Sequence, residues 1–360
     1  MQSQQSQPKF VFTGGGTAGH VIPNLAIIRE LKKIEPKVQI FYVGSKGSLE
    51  RKLVRAAGLQ FHAVQTGKLR RYFSLKNLRD ILRVPLGIWQ ARQLLRAIKP
   101  KAVFAKGGFV SVPVALAAAS LKIPLLVHES DANLGLATRI CARFARQICV
   151  SFPLSVTQKL NPKFVLTGNP IRAKGAKARG LKFLNFPKVK PIVLIVGGSS
   201  GARFLNEITF KLFPQLVTKA NLVLLTGGQS VPQVAHRNFR VFDFLGKEYL
   251  DVLQAADLVV SRAGANALFE IAQAGKPSVL IPLPPAVSRG DQLKNAAHFV
   301  KFGAARAIAQ HDLTSVKLQR LIQLFLASPQ LRQRMGQRAA RLAPHKAAQR
   351  LAEILRFKAC

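Results

Sequence analysis

Twice in this 360-residue chain a short apolar run ends in a cluster of glycines and gives way to a helical pattern. In the first half Lys9–Thr13 runs into Gly14, Gly15, Gly16, Thr17, Ala18, Gly19 and His20, with helical spacing over 24–33. In the second half residues 191–196 run into Gly197, Gly198, Ser199, Ser200, Gly201 and Ala202. Strand, glycine turn and helix open a βαβ unit. Further apolar runs follow at 39–43, 102–105, 125–127 and 147–151, then at 222–226, 258–260 and 278–281, with helical patterns between them. Such alternation gives parallel sheets with crossover helices. The expected fold class is therefore α/β, with two Rossmann-like parallel-sheet domains facing each other across a cleft. Gly168, Asn169 and Pro170, ahead of the basic stretch 172–190, mark the break. The expected domains are 1–168, rejoined by a C-terminal helix at about 343–358, and 169–342.

The stretch 261–275, S-R-A-G-A-N-A-L-F-E-I-A-Q-A-G, carries the most chemistry. Arg262, Ala263, Gly264 and Ala265 leave the amides of a helix start uncrowded, and those amides with the helix dipole favour a diphosphate. Glu270 falls about one and a half turns further in, where a carboxylate can accept two hydrogen bonds from the cis hydroxyls of a ribose. The alternative is a polar residue on a solvated helix face. Acidic residues number only 15 against 55 basic ones, so an acid beside a glycine turn stands out. His20 sits at the mouth of the first turn, where a side chain of near-neutral pKa can take a proton; a structural loop histidine is the other reading. The turn lacks G-x-G-x-x-G spacing, and neither Glu35 nor Glu50 falls at the ribose position of a dinucleotide site.

The net charge of +40 directs the chain toward polyanions. No nucleic-acid-reading motif accompanies it, and specific nucleic-acid binding would leave the glycine turns without a purpose. Cys141, Cys149 and Cys360 are odd in number and lack zinc-site spacing, which fits a reducing cytoplasm and no metal centre. Residues 1–8 are polar and Gln-rich, a lead-in without the apolar segment of a secretory signal. The uncharged, largely apolar stretch 107–121 contains Pro113 and falls short of the roughly 20 apolar residues of a spanning helix. In 68–92, Leu75, Leu78, Ile81 and Leu82 recur at helical spacing with Lys76, Arg79 and Arg83 opposite. Tyr72 and Phe73 precede them; Pro85, Leu86, Ile88 and Trp89 follow. An amphipathic helix packed on its own domain and a helix lying in a membrane interface share this pattern.

Seven motifs, in order, resemble those of the MurG family, glycosyltransferases of the GT-B fold that add N-acetylglucosamine to lipid I in peptidoglycan synthesis. They are G-G-T-A-G-H at 15–20, G-G-F-V-S at 107–111, H-E-S-D at 128–131, G-N-P-I-R at 168–172, G-G-S-S-G-A at 197–202, S-R-A-G-A with Glu270, and S-R-G-D-Q with Asn295. The resemblance covers nearly the whole chain. It implies the donor UDP-N-acetylglucosamine, held mainly by the second domain. Arg172, Ser199 and the backbone near Leu245 match positions on the uridine and phosphates, Glu270 the ribose clamp, and Asp291 and Gln292 the pair facing the sugar. Thr17, Ala18, Gly19, Asp131 and Ala265 complete the donor set. The acceptor diphosphate is expected near Gly15, Gly16, Gly107 and Gly108, with His20 as candidate base beside the attacking hydroxyl. Inversion then needs one base, no covalent intermediate, no cofactor and no metal.

The resemblance further implies lipid II as product and a peripheral enzyme on the cytoplasmic face of the inner membrane. Leu75, Leu78, Ile81 and Trp89 are expected to meet its anionic surface, with cell-wall synthesis and division proteins as partners. Asp131 stands where many members have Asn, Asp291 where many have His or Gln, Ser200 where Gln is common and Ala267 where a Thr often sits. Two rival enzymes separate on sequence. A UDP-N-acetylglucosamine epimerase would share the Glu270 helix but not the G-G-T-A-G-H turn, and a nicotinamide oxidoreductase would use one turn rather than two.

Overall fold

The computed structural model describes residues 7–46, 48–67, 75–187, 189–198, 202–288 and 290–358, without the side chains of Ala18, Leu49, residues 75–82 and Lys358. The chain forms two compact units, one built from residues up to Arg172 together with those from Pro344 onward, the other from Ala173–Ala343. The first holds a parallel sheet of β1 (Lys9–Thr13), β2 (Gln39–Ser45), β3 (Gln60–Val64), β4 (Ala102–Ala105), β5 (Leu125–Glu129), β6 (Gln147–Val150) and β7 (Phe164–Leu166), in the order β3-β2-β1-β4-β5-β6-β7. The second holds β8 (Ile192–Val196), β9 (Asn221–Leu225), β10 (Phe239–Phe242), β11 (Leu258–Ser261), β12 (Ser278–Leu280) and β13 (Ala305–Ala307), in the order β10-β9-β8-β11-β12-β13.

Alternation along the strands sorts the first core into two layers. Phe10, Phe12, Tyr42, Phe104 and Leu126 pack on one face with Ile27 and Leu31 of the helix Ala18–Ile34 and with Leu351 and Leu355 of the helix Ala347–Lys358. Val11, Val43, Val103 and Val127 pack on the other with Ala91 and Leu95 and with Val114 and Ala118. In the second unit Val193, Ile195, Val260 and Val279 face Leu205, Leu212, Ile322 and Phe325, while Leu194, Val223 and Val259 face Val252, Leu253 and Ile271. Each sheet reverses its direction of strand addition once, between β1 and β4 and between β8 and β11. Thr13 pairs with Ala105 and Val196 with Ser261, so at each reversal two strands end level and their glycine turns emerge side by side. Open α/β sheets bind ligands at this switch point.

Two findings differ from the sequence reading. The helix over the first sheet runs without a break from Leu75 to Ile98 with Pro85 inside it, where the sequence placed Pro85 after the helix. Proline removes one backbone donor there, and the burial of Ala91, Leu95 and Ile98 at helical spacing holds the helix through it. The helix after the first glycine turn begins at Ala18, six residues earlier than its spacing suggested, and tolerates Pro23 in its second turn. Among the described residues no helix is long and apolar enough to cross a membrane.

Candidate active site

The first turn is built on a buried polar frame. The Tyr42 hydroxyl donates to the Gly14 carbonyl at 2.7 Å, and Asn24 Nδ2 donates to the Tyr42 oxygen at 3.0 Å and the Thr13 carbonyl at 3.3 Å. Beneath Gly15 lies Glu50, 1% exposed, and a Cβ on Gly15 would stand 2.5 Å from its Oε1. Burial pushes this carboxyl up, but hydrogen bonds from Ser45, from backbone amides and from Ser48 outweigh it and hold the group below the usual carboxylate range. The Ser45 hydroxyl approaches Oε1 at 2.6 Å and the Gly16 amide Oε2 at 3.4 Å. Gly108, at φ +76°, admits no side chain because a Cβ would sit 2.5 Å from the Gly15 carbonyl. The Gly15 and Gly107–Gly108 turns are thus in contact, and the Ser111 hydroxyl secures the second by donating to Gly107 O at 2.7 Å.

His20 joins them. Its Nδ1 lies 3.1 Å from the Thr17 hydroxyl, and its ring lies 3.4 Å from where a Gly108 Cβ would stand. Desolvation and the Lys106 cation push its pKa from the ordinary 6.5 down to about 4, against smaller opposing effects of the Gly15 backbone and Glu50. That corrects the expectation of a near-neutral pKa: the imidazole is uncharged at physiological pH, with a lone pair available but weakly basic. Lys106, His128 and Ser130 form the layer below. Lys106 is 1% exposed, and its Nζ stands 2.8 Å from His128 Nδ1 and is hydrogen-bonded to Ser130 Oγ. Lys106 was missed as a site residue, although a lysine closing the fully apolar run Ala102–Ala105 was visible in the sequence. Glu129 folds the following turn by accepting from the Ser130, Asp131 and Gly135 amides at 2.8, 3.2 and 2.9 Å.

In the second unit β11 is followed by Arg262, whose Nη1 donates to the Ile281 carbonyl at 3.0 Å; burial lowers its pKa to about 10, leaving it cationic. The helix Ala265–Ala274 starts from an extended Gly264 with no side-chain cap among the described residues, and a Cβ at Gly264 would meet nothing within 4 Å. An uncapped helix start of this kind suits an anion. Glu270 is 7% exposed, between buried Phe269 and Ile271. The solvated-face alternative is thereby overturned. Gln292 Oε1 accepts from the Ala263 and Leu283 amides at 3.3 and 3.0 Å, which fixes the amide with its NH2 as the remaining donor. Asn295 is buried and donates to Ala263 O at 3.1 Å.

Gly15, Gly16, Thr17, His20, Gly107 and Gly108 are thus one cluster in the first unit, as Ala265, Glu270 and Gln292 are beside β11 in the second. Asp291 opens the helix Asp291–Lys301 directly before Gln292. Asp131, half-buried, follows the Lys106 layer, half-buried Gly19 lies inside the helix Ala18–Ile34, and half-buried Arg172 closes the first unit. Leu245 stands apart after β10, with β9 and β8 between it and β11. Trp89 is 59% exposed on the helix Leu75–Ile98, next to Gln90, whose Oε1 accepts from the Gln65 amide just after β3 at 2.8 Å. Ser199, Ser200, Gly201, Arg289, Cys360 and residues 68–74 lie outside the described residues, as do the side chains of Ala18, Leu75, Leu78 and Ile81.

Residues 10–150 match the glycosyltransferase family 28 N-terminal domain and residues 192–351 its C-terminal domain. A Clostridium botulinum (strain Kyoto / Type A2) protein named UDP-N-acetylglucosamine--N-acetylmuramyl-(pentapeptide) pyrophosphoryl-undecaprenol N-acetylglucosamine transferase is 42% identical over 317 residues, 87% of this chain and 89% of that protein. A protein of the same name from Lachnospira eligens is 43% identical over 310 residues, covering 85% and 87%. The crystal structure of Acinetobacter baumannii MurG superposes with a TM-score of 0.77 at 26% identity, covering 97% of this chain and 99% of that one.

Proposed function

The chain belongs to glycosyltransferase family 28, and from that premise we infer that it transfers N-acetylglucosamine from UDP-N-acetylglucosamine to lipid I, giving lipid II for peptidoglycan synthesis. The observation that carries this reading is 42% identity running through both units to a relative named for that transfer. The donor rests on the second unit. Its diphosphate takes the open amides at Ala265, its ribose hydroxyls donate to Glu270, and the Gln292 NH2 with Asp291 faces the sugar. Arg172, Ser199 and the backbone near Leu245 serve the uridine and phosphates, and Thr17, Gly19 and Asp131 complete the donor set. The lipid I pyrophosphate takes the amides of Gly15, Gly16, Gly107 and Gly108.

The reaction is a single inverting displacement. The C4 hydroxyl oxygen of the N-acetylmuramyl residue bonds to the anomeric carbon, the bond from that carbon to the phosphate oxygen breaks, and UDP leaves with the electron pair. The hydroxyl proton passes to the neutral His20 imidazole as the new bond forms. Since lipid I is held in a bilayer by its polyprenyl tail, the enzyme works at the cytoplasmic face of the membrane, docked peripherally through its basic surface and the helix carrying Trp89. Cell-wall synthesis and division proteins are the partners expected there. Thermal shift against a panel of UDP- and TDP-sugars tests the donor assignment: UDP-N-acetylglucosamine should raise the melting temperature most, and an equal response to TDP-sugars would defeat it.

A further inference from the structure

One side chain outside the motifs, next in sequence to the 107–111 motif, bonds to the 128–131 motif and through it reaches the 168–172 motif. Lys106 directly precedes Gly107 at the end of β4, on the switch point of the sheet. One arm of its ammonium goes to His128 Nδ1 at 2.8 Å; His128 Nε2 in turn lies 3.0 Å from the Gly168 carbonyl. An ammonium can only donate, so Nδ1 accepts and Nε2 carries the hydrogen given to Gly168, which fixes the neutral tautomer. The second arm goes to Ser130 Oγ, which donates to Asn169 Oδ1 at 3.2 Å. Both arms therefore end on adjacent residues, Gly168 and Asn169, three positions before Arg172.

The charges around this ammonium are few. His20 faces it from the helix Ala18–Ile34, His128 and Glu129 from β5, and Asp131 from the turn that follows. Gly14 approaches closely from the β1 side, where a Cβ would stand 3.0 Å from the Lys106 Cβ. Glu129 is already occupied by three backbone amides. Both carboxylates favour the charged form of Lys106, Glu129 more than Asp131. A buried ammonium held by two neutral side chains carries a large desolvation cost, and a packed methionine would fill the same space without it.

We propose that Lys106 is a positioning residue for the transfer: its ammonium holds the 128–131 and 168–169 turns in one arrangement and fixes the Asp131 carboxylate and Arg172 for the donor. This rests on the reading of Asp131 and Arg172 as donor contacts given above. Burial lowers the Lys106 pKa from 10.5 to about 8, with Glu129 and Asp131 opposing the shift, so the ammonium is lost within a workable pH range. The histidines stay neutral there because both are shifted downward.

The test is calorimetric affinity of the full chain for UDP-N-acetylglucosamine at pH 7 and pH 9.5, for wild type, Lys106→Met, Asp131→Asn and the double variant, with thermal unfolding as the folding check. At pH 7, Lys106→Met should weaken binding about tenfold while the melting temperature holds. The double variant should bind like Lys106→Met, since the two residues act as a unit. Between pH 7 and 9.5 wild type should lose affinity and Lys106→Met should lose far less, the variant serving as control for ionisation of the uracil. Should Lys106→Met not fold, Ser130→Ala removes one arm and keeps the cation, and about threefold weaker binding is expected. Wild type that binds the donor with Lys106→Met or Ser130→Ala unchanged, or with additive losses in the double variant, overturns the proposal alone. Wild type that does not bind the donor overturns the proposed function with it.

Discussion

At His20 a side chain of ordinary type is set by its surroundings. Desolvation and the nearby Lys106 cation take its pKa to about 4, and His128 is shifted down by the same two causes. An unfolded histidine binds its proton below about pH 6.5, so between pH 6.5 and 4 the unfolded chain holds more protons than the folded one. Stability should fall as the pH drops through that window, and His20→Gln should remove part of the fall in thermal unfolding followed by circular dichroism. A pH profile identical to wild type would mean that His20 is not buried in neutral form. Glu270 makes a prediction in affinity. Glu270→Ala should weaken UDP binding by about 1.5–3 kcal/mol, the usual worth of hydrogen bonds to a charged group. Unchanged calorimetric affinity in a folded variant would make it a packing residue of its helix. Glu270 was legible in the sequence because acids are scarce in this chain and this one follows a small-residue turn. Lys106 was not, because its partners stand 22 and 24 positions away and only the parallel pairing of β4 with β5 brings them together.

Among the elements, the interior strands announced themselves and the edges did not. Every residue of β4, β5, β6, β8, β9, β11 and β12 is buried, and each appeared as a continuous apolar run. The sequence reading missed β3, β7, β10 and β13, the four edge strands of the two sheets. At most one residue of each is buried; β7 offers only the three apolar residues Phe164–Leu166, the others are broken by His62, Arg240 and Arg306, and their place is set by pairing with a neighbour already in the sheet. The helix Leu75–Ile98 shows the same division within one element. Ala91, Leu95 and Ile98 face the core, while Leu86 and Trp89 stand 46% and 59% exposed. Among the described side chains the helix thus turns one face to the core and leaves Leu86 and Trp89 outward. Leu86→Ser with Trp89→Ser should reduce co-sedimentation with anionic vesicles at moderate salt without unfolding the protein. Equal binding would assign the docking to diffuse charge, with basic residues near the leaflet contributing about 1 kcal/mol each.

On the scale of the molecule, two parallel sheets each place paired strand ends at a switch point, and the chain's glycine turns lie at both. The parallel sheets and their glycine turns were legible from periodicity and glycines, because the strand–turn–helix pattern repeats in each half; the strand order that pairs the ends was not. The net charge of +40 is equally plain in the sequence and suits an enzyme whose donor and acceptor are both anionic. The central claim is that the two units together carry N-acetylglucosamine from one anion to another. It is tested most directly by incubating the full chain with UDP-N-acetylglucosamine and a lipid I analogue in EDTA, and following both by mass spectrometry. The account predicts an acceptor heavier by one N-acetylhexosamine residue, one UDP released for each transfer, and inverted configuration at the anomeric carbon by NMR. Epimerised or hydrolysed donor beside an unmodified acceptor would contradict it.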